Sequence, residues 1–165
     1  MAGGVKLDRI DINILAQLQQ NGKLTNVNLA NVVGLSPSPC LQRVKRLEKA
    51  GYITCYNAQL NLARLGEHIT VFTEITLNDH RREDFIKFES EIRRYDSVQE
   101  CHLVSGGYDY LIKFVARSVA HYQEIVENIL ERNIGVEKYF SYVVIKSILV
   151  KQSVPLKAIL PVEND

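Results

Sequence analysis

The sequence predicts an α+β protein, a bundle of three short helices followed by a ferredoxin-like β-α-β-β-α-β unit. Three observations lead there. Apolar residues recur at helical spacing through the first third of the chain. Glycines at 22, 34 and 51 punctuate that stretch. From His68 onward, segments dense in Val, Thr, Phe and Ile alternate with two amphipathic helical patterns.

The first helix is predicted over Asp8 to Gln20, with Ile10, Ile14, Leu15 and Leu18 on its apolar side. Asp8 near its start complements the helix dipole, and Asn21-Gly22 ends it. A second helix begins at Thr25 as N-cap and runs to Val33, burying Val27, Leu29, Ala30 and Val33.

The most telling stretch is GLSPSPCLQRVKRLE, from Gly34 to Glu48. Gly34 can take the left-handed conformation of a tight turn. Ser36 suits an N-cap, its hydroxyl accepting from a first-turn N–H. Pro37 and Pro39 fall in the first turn, where a missing N–H is tolerated. The helix that follows has two sides. Cys40, Val44 and Leu47, helped by Leu41, form the apolar stripe, so Cys40 reads as a packed thiol. Ser38, Gln42, Lys45, Arg46 and Lys49 lie opposite, with Arg43 on the flank. Small polar, amide and guanidinium groups on one side of a capped helix are the equipment for reading base edges and gripping phosphates. The arrangement resembles a helix-turn-helix whose second helix enters the major groove.

After Ala50-Gly51, the alternation in Tyr52–Tyr56 predicts a short strand, with Tyr56 packing between the two halves. The connection then runs on to Leu65. Few glycines stand in it, so an ordered hinge is expected. Strands are predicted over His68–Leu77, Val98–Ser105, Tyr108–Ala116 and Val136–Val150, and helices over Arg82–Tyr95 and Val119–Arg132. Phe85, Phe88 and Ile92 face inward from the first of these helices, and Tyr122, Ile125, Val126 and Ile129 from the second. Gly106-Gly107 turns the middle two strands into a hairpin. Helices cover one side of such a sheet, and a second copy can cover the other. The expected domains are thus 1–53 for the bundle, 54–67 for the connecting strand and hinge, 68–150 for the sheet unit and 151–165 for a tail. That tail, with two prolines, could be a short strand, a docked arm or a frayed end.

Composition narrows the function. The chain has 165 residues, 46% of them hydrophobic, and a net charge of +1. That charge is uneven. Residues 1–57 hold seven Lys/Arg against three acids, and residues 58–165 hold thirteen against sixteen. A basic first part on a mildly acidic remainder suits nucleic-acid binding by the first part alone. No apolar run is long enough to span a bilayer and no basic-then-apolar leader is present, so a cytoplasmic protein with no membrane partner is expected. Three scattered cysteines (40, 55, 101) and four scattered histidines (68, 80, 102, 121) make neither a disulfide frame nor a metal site. Neither a nucleophile elbow, a P-loop nor a dinucleotide fingerprint is found, and no catalytic residue is assigned.

Several strings, in order and on these elements, resemble the Lrp/AsnC, or feast/famine, transcription regulators. They are LDRIDINILAQLQQNGK, LANVVGLSPSPCLQRVKRLEKAGYI, VQECHLVSGGYDYLIKF and the late YVVIK. The ECHLVSGGYDYL segment resembles the leucine-responsive branch. The resemblance implies a winged-helix-like head for double-stranded DNA and a RAM domain (regulation of amino acid metabolism) that dimerises and assembles further, often to octamers. It also implies an amino-acid effector bound where dimers meet, with no other cofactor, and a nucleoid-associated role. The effector region so implied takes in Ser105, Gly106, Tyr108 and Asp109 from the turn, Val119 from the helix start, and Tyr142, Val143 and Val144 from the last strand. Gly107 stands where many relatives carry an acidic or other polar residue, and Asn28 where Glu is frequent.

On the residues alone the Gly106-Gly107 turn is open to two readings. It is a tight hairpin, or its exposed N–H groups meet a carboxylate while Asp109 faces an ammonium group. The DNA-binding set expected from the helix is Ser36, Ser38, Pro39, Gln42, Arg43, Lys45, Arg46 and Lys49. Lys45, Arg46 and Lys49 are assigned mainly to phosphates, and Ser38, Pro39, Gln42 and Arg43 to base edges. The rival readings are a metabolite-binding module that serves as an enzyme or enzyme regulator, and a nucleoid organiser with little sequence preference.

Overall fold

A computed structural model describes residues 6–160. The expected head and tail reach into 1–5 and 161–165, which lie outside the described residues. The chain divides into two compact units, one ending at Leu60 and completed by the segment from Leu149 onward, the other Asn61–Ile148.

The first unit is helical. Helix α1 (Arg9–Gln20) starts from a capping box. Asp8 Oδ1 accepts the Asp11 N–H at 2.8 Å and Asp11 Oδ2 accepts the Asp8 N–H at 3.1 Å. Helix α2 (Asn26–Val33) is capped by Thr25, whose hydroxyl accepts the Asn28 N–H at 3.2 Å. Replacing Thr25 by Ala should cost about 1 kcal/mol, read as a lower urea midpoint for this unit. Gly34 ends α2 at φ 73°, a conformation that costs glycine nothing.

Helix α3 (Pro37–Lys49) has Ser36 as N-cap, but the hydroxyl makes no capping bond. The expectation of one failed for a local reason. The third helical position, whose N–H an N-cap hydroxyl ordinarily takes, is Pro39, and it has none.

Ile14, Leu29, Ala30, Cys40 and Leu47 are buried together, ringed by half-buried Leu7, Ile10, Leu15, Leu18, Leu24, Val33, Leu35, Val44 and Ile53. Burial pushes the Cys40 thiol up, so it stays protonated. Val27, expected inside, is exposed, because Leu29, Ala30 and Val33 define the inward side of α2 and Val27 falls off it. Leu41 is exposed likewise on the flank of α3.

Tyr52–Tyr56 does not form the expected strand. A strand needs a partner, and this unit is helical. Tyr56 packs within this unit. Its hydroxyl donates to Glu48 Oε1 at 2.8 Å, and burial with that carboxylate pushes the phenol up to about 12. A Cβ on Gly22 would come within 3.3 Å of the Tyr56 ring, so glycine there permits the close approach. Of the three readings of the tail, the docked arm is what its described residues, 151–160, form. Gln19 Nε2 donates to the Val154 carbonyl at 2.8 Å, and Gln19 Oε1 accepts the Val154 N–H at 3.1 Å. The single turn α6 (Leu156–Ile159) follows, packed along α1.

The second unit opens with a 3-10 turn (Leu62–Arg64) and then runs β1 (Ile69–Leu77), α4 (Arg82–Ile92), β2 (Val98–Leu103), β3 (Tyr110–Ala116), α5 (Val119–Glu131) and β4 (Val136–Val143). The sheet order β2-β3-β1-β4, antiparallel throughout, is the expected ferredoxin-like arrangement. Val71, Ile75 and Leu77 of β1 and Tyr110, Ile112 and Phe114 of β3 are buried against Phe88 and Ile92 of α4 and Tyr122, Ile125, Val126 and Ile129 of α5. Inside this core Tyr122 shares its hydroxyl with Thr73 at 2.7 Å and Ser141 at 2.6 Å. The last strand stops at Val143, short of the expected Val150, because β1 begins at Ile69 and its ladder has run out. Val144 still donates its N–H to the Thr70 carbonyl at 2.9 Å.

The alternation leaves the other side of the sheet bare. Phe72 and Glu74 of β1, Leu111, Lys113 and Val115 of β3, and Lys138, Phe140 and Tyr142 of β4 share it, as the strand register requires. Phe140 is 57% exposed and Tyr142 52%.

Candidate nucleic-acid interface and effector turn

The helix-turn-helix is built by α2, the Gly34 turn and α3. Leu35 N–H donates to the Ala30 carbonyl at 2.9 Å, closing the turn. Asn26 Nδ2 donates to the Pro37 carbonyl at 2.8 Å, tying the start of α2 to that of α3. Ser36, Ser38, Pro39, Gln42, Lys45, Arg46 and Lys49 are all exposed, while Arg43 is half-buried. One side of α3 is thus free to meet a partner, and the other carries Cys40 and Leu47 into the core.

Two of the expected DNA contacts are already engaged. Arg43 Nη1 donates to Asp8 Oδ2 at 2.6 Å and to Asp11 Oδ1 at 2.8 Å. Arg46 Nη2 donates to Asp11 Oδ2 at 2.5 Å. Arg43, assigned above to base edges, therefore lies against α1 in this structure. Asp11 is completely buried, and the periodicity of α1 gave no sign of it. The only hint in the sequence was an acid three residues after another at a helix start. Burial works to raise Asp8, but hydrogen bonds from the Asp11 N–H and from Arg43 outweigh it and hold the carboxyl below its ordinary range.

The effector candidates do not form one cluster in a single chain. Ser105, Gly106, Tyr108 and Asp109 lie in the turn at the start of β3. Val119 opens α5 beyond the other end of β3 and lines an open groove of about 560 Å³ with Gly66, Glu67, His68, Arg117 and Ser118. Seven strand residues separate the two places, about 20 Å at the usual rise per residue. Val143 and Val144 belong to the Val119 end, since Val143 pairs with Val71. Tyr142 and Val143 point to opposite sides of the sheet, as neighbours on a strand must.

Asp109 does not face outward for an ammonium group. Its Oδ2 accepts the Leu77 N–H at 2.8 Å, and His80 Nε2 lies 3.0 Å from both its oxygens. With Asp109 N–H on the Ile75 carbonyl and Val104 N–H on the Asp109 carbonyl, each at 2.9 Å, the residue staples the turn to β1. Gly106 has φ 155°. Pattern reasoning missed Glu74, which pairs with Phe140 one step along the bare side from Tyr142. The Tyr142 phenol is raised, first by desolvation, then by the Glu74 carboxylate, with a smaller contribution from Tyr108. Strand alternation puts Glu74 on the side of β1 opposite the buried Thr73 and Ile75, the one signal the sequence offers for it.

Among the described residues no group of His, Cys, Asp and Glu is arranged to hold a metal ion, and no helix is long and apolar enough to cross a membrane.

A two-part protein with a helix-turn-helix unit and a separate ferredoxin-like sheet unit is the class these features define. The comparisons with known proteins make it specific. Residues 7–54 match the winged helix-turn-helix DNA-binding model, and residues 70–154 match the Lrp/AsnC ligand binding domain. The chain is 46% identical over 150 residues to the leucine-responsive regulatory protein of Klebsiella pneumoniae, covering 91% of this chain and 90% of that one. It is 45% identical to the Escherichia coli K12 protein of the same name, with the same coverage. Among solved structures, the transcriptional regulator NMB0573 of Neisseria meningitidis, in complex with L-Met, superposes with a TM-score of 0.87 at 34% identity, covering 94% of this chain and all of that one. An AsnC family regulator from Agrobacterium tumefaciens gives 0.88 at 29% identity, covering 93% of this chain and all of that one. The chain belongs to the Lrp/AsnC family of transcriptional regulators. It is a DNA-binding regulator with a ligand-binding domain, and not an enzyme.

Proposed function

We propose that this regulator acts in the cytoplasm, on the nucleoid, as an assembly of dimers whose grip on DNA responds to an amino acid. The observation that carries the reading is the separation of the effector candidates. Two groups of residues about 20 Å apart on one chain cannot enclose a small molecule, whereas an interface between copies can bring the turn of one beside the α5 end of another. The bare side of the sheet, with Phe72, Leu111, Phe140 and Tyr142, offers the area on which a second copy packs. The L-Met bound by the Neisseria relative and the names of the leucine-responsive relatives favour an apolar amino acid. On this reading Ser105, Gly106 and Tyr108, with Tyr142 on the turn's side of the sheet, supply one part of the pocket and Val119, Val143 and Val144 the remainder, while Asp109 holds the turn in shape. Dimers joining into octamers give the effector an equilibrium to bias.

On DNA, two α3 helices meet successive major grooves, so the operator is roughly palindromic. Ser38, Pro39 and Gln42 read base edges, while Ser36, Lys45 and Lys49 hold phosphates. Gln42→Ala should lower affinity for the operator and leave binding to random duplex unchanged. Lys49→Ala should weaken both alike and flatten the salt dependence by about one unit of slope. Filter binding across a salt series reads both, and equal losses on the two duplexes for Gln42→Ala defeat its assignment. The effector is tested by sedimentation and operator binding with each common amino acid in turn. If none changes either size or affinity, the sensing role is lost.

A further inference from the structure

Four basic residues on one short helix suggest that all four meet the duplex, but the head's own geometry divides them. Arg43 and Arg46 stand one turn apart on α3, and both reach back to the first turn of α1. The fully buried Asp11 has each of its oxygens taken, one by Arg43 and one by Arg46, and the Asp8 N–H adds a third donor. Asp8 takes a second bond from Arg43. Lys45 and Lys49 are exposed, and among the described residues no ion pair of the head engages them. A carboxylate buried this deeply has to be neutralised where it stands. Here the neutralising charges come from the helix that would otherwise offer them to phosphates.

We propose that Asp11, seconded by Asp8, is a positioning residue for DNA recognition. It anchors the reading helix through Arg43 and Arg46 and withholds their charge from the backbone. Counterion release then comes from Lys45 and Lys49, and sequence choice is not swamped by indiscriminate attraction to phosphates. The inference rests on α3 being the helix that enters the groove.

The test uses the full-length protein, a duplex enriched from a random pool and a duplex of random sequence, with affinity measured across a salt series. Asp11→Asn keeps the shape and removes the charge. It should steepen the salt dependence on random duplex by about one to two units of slope per head, as the freed guanidiniums take phosphates. It should also narrow the preference for the enriched duplex by about tenfold. Arg43→Gln should leave the slope as it was. A structural role alone predicts something different for Asp11→Asn, parallel losses on both duplexes at unchanged slope, and that result overturns the proposal. So does a slope about one unit shallower in Arg43→Gln, which would mean that Arg43 itself touches the backbone. If Asp11→Asn fails to fold, Asp8→Asn decides, because Asp8 is half exposed. A steeper slope there supports the clamp, and an unchanged one sinks it. Lys49→Ala serves as the reference. Should it leave the slope untouched, the placement of α3 in the groove falls, and the clamp falls with it.

Discussion

Leu47→Ala should abolish DNA binding while leaving the sheet unit folded. Leu47 is completely buried at the last turn of α3, and among the described residues Ile14, Leu29, Ala30 and Cys40 are buried in one cluster with it. Truncating a buried leucine costs about 2–5 kcal/mol. A small helical unit has about that much stability to lose, since few buried side chains oppose the chain entropy of folding. The core of the other unit, centred on Phe88, Tyr110 and Phe114, shares none of these residues. Urea titration followed by circular dichroism should therefore show an early loss of part of the helical signal and an unmoved later transition. Affinity for operator and random duplex should disappear together. A single transition shifted as a whole would mean that the two units unfold as one.

The second large effect is on assembly. Phe140→Asp should yield a folded protein that no longer associates. The ring lies on the bare side of the sheet, directly across from Glu74 and beside Tyr142, and is 57% exposed in the single chain. The fold therefore loses little when it goes. An interface built on that surface loses an aromatic anchor and gains a charge next to an existing carboxylate. Such a centre is worth at least about 2 kcal/mol, roughly thirtyfold in association. Sedimentation at several concentrations measures it, with circular dichroism to establish that the sheet persists. Unchanged mass would place the contact between copies elsewhere. Operator affinity should fall in step with mass, because one head meets only one half-site.

Most of the architecture was legible because it is written in periodicity and punctuation. The 3.6-residue recurrence in α1, α3 and α5, the alternation in β1 and β3, the cap at Thr25 and the turn at Gly34 were all local signals. The sites were less legible, because their chemistry depends on contacts that spacing does not encode. Arg43 and Arg46 carry the composition of DNA contacts, yet acids more than thirty residues earlier in the chain claim them. Asp109 has the charge to meet an ammonium group, yet the backbone of Leu77 and the ring of His80 occupy it. Ser36 is a sound N-cap by type, and Pro39 removes the partner it needed. Tyr52–Tyr56 has strand composition and finds no strand beside it. In each case the residue type was read correctly and the neighbour was not.

The staple between Gln19 and Val154 has a consequence for how this protein is made. Synthesis runs from α1 toward α6, so the three helices of the head are made first, and the segment that lies on α1 follows only after the sheet unit. The head is completed only after all four strands have been made. Expressing residues 1–60 by themselves would leave Gln19 without its backbone partner.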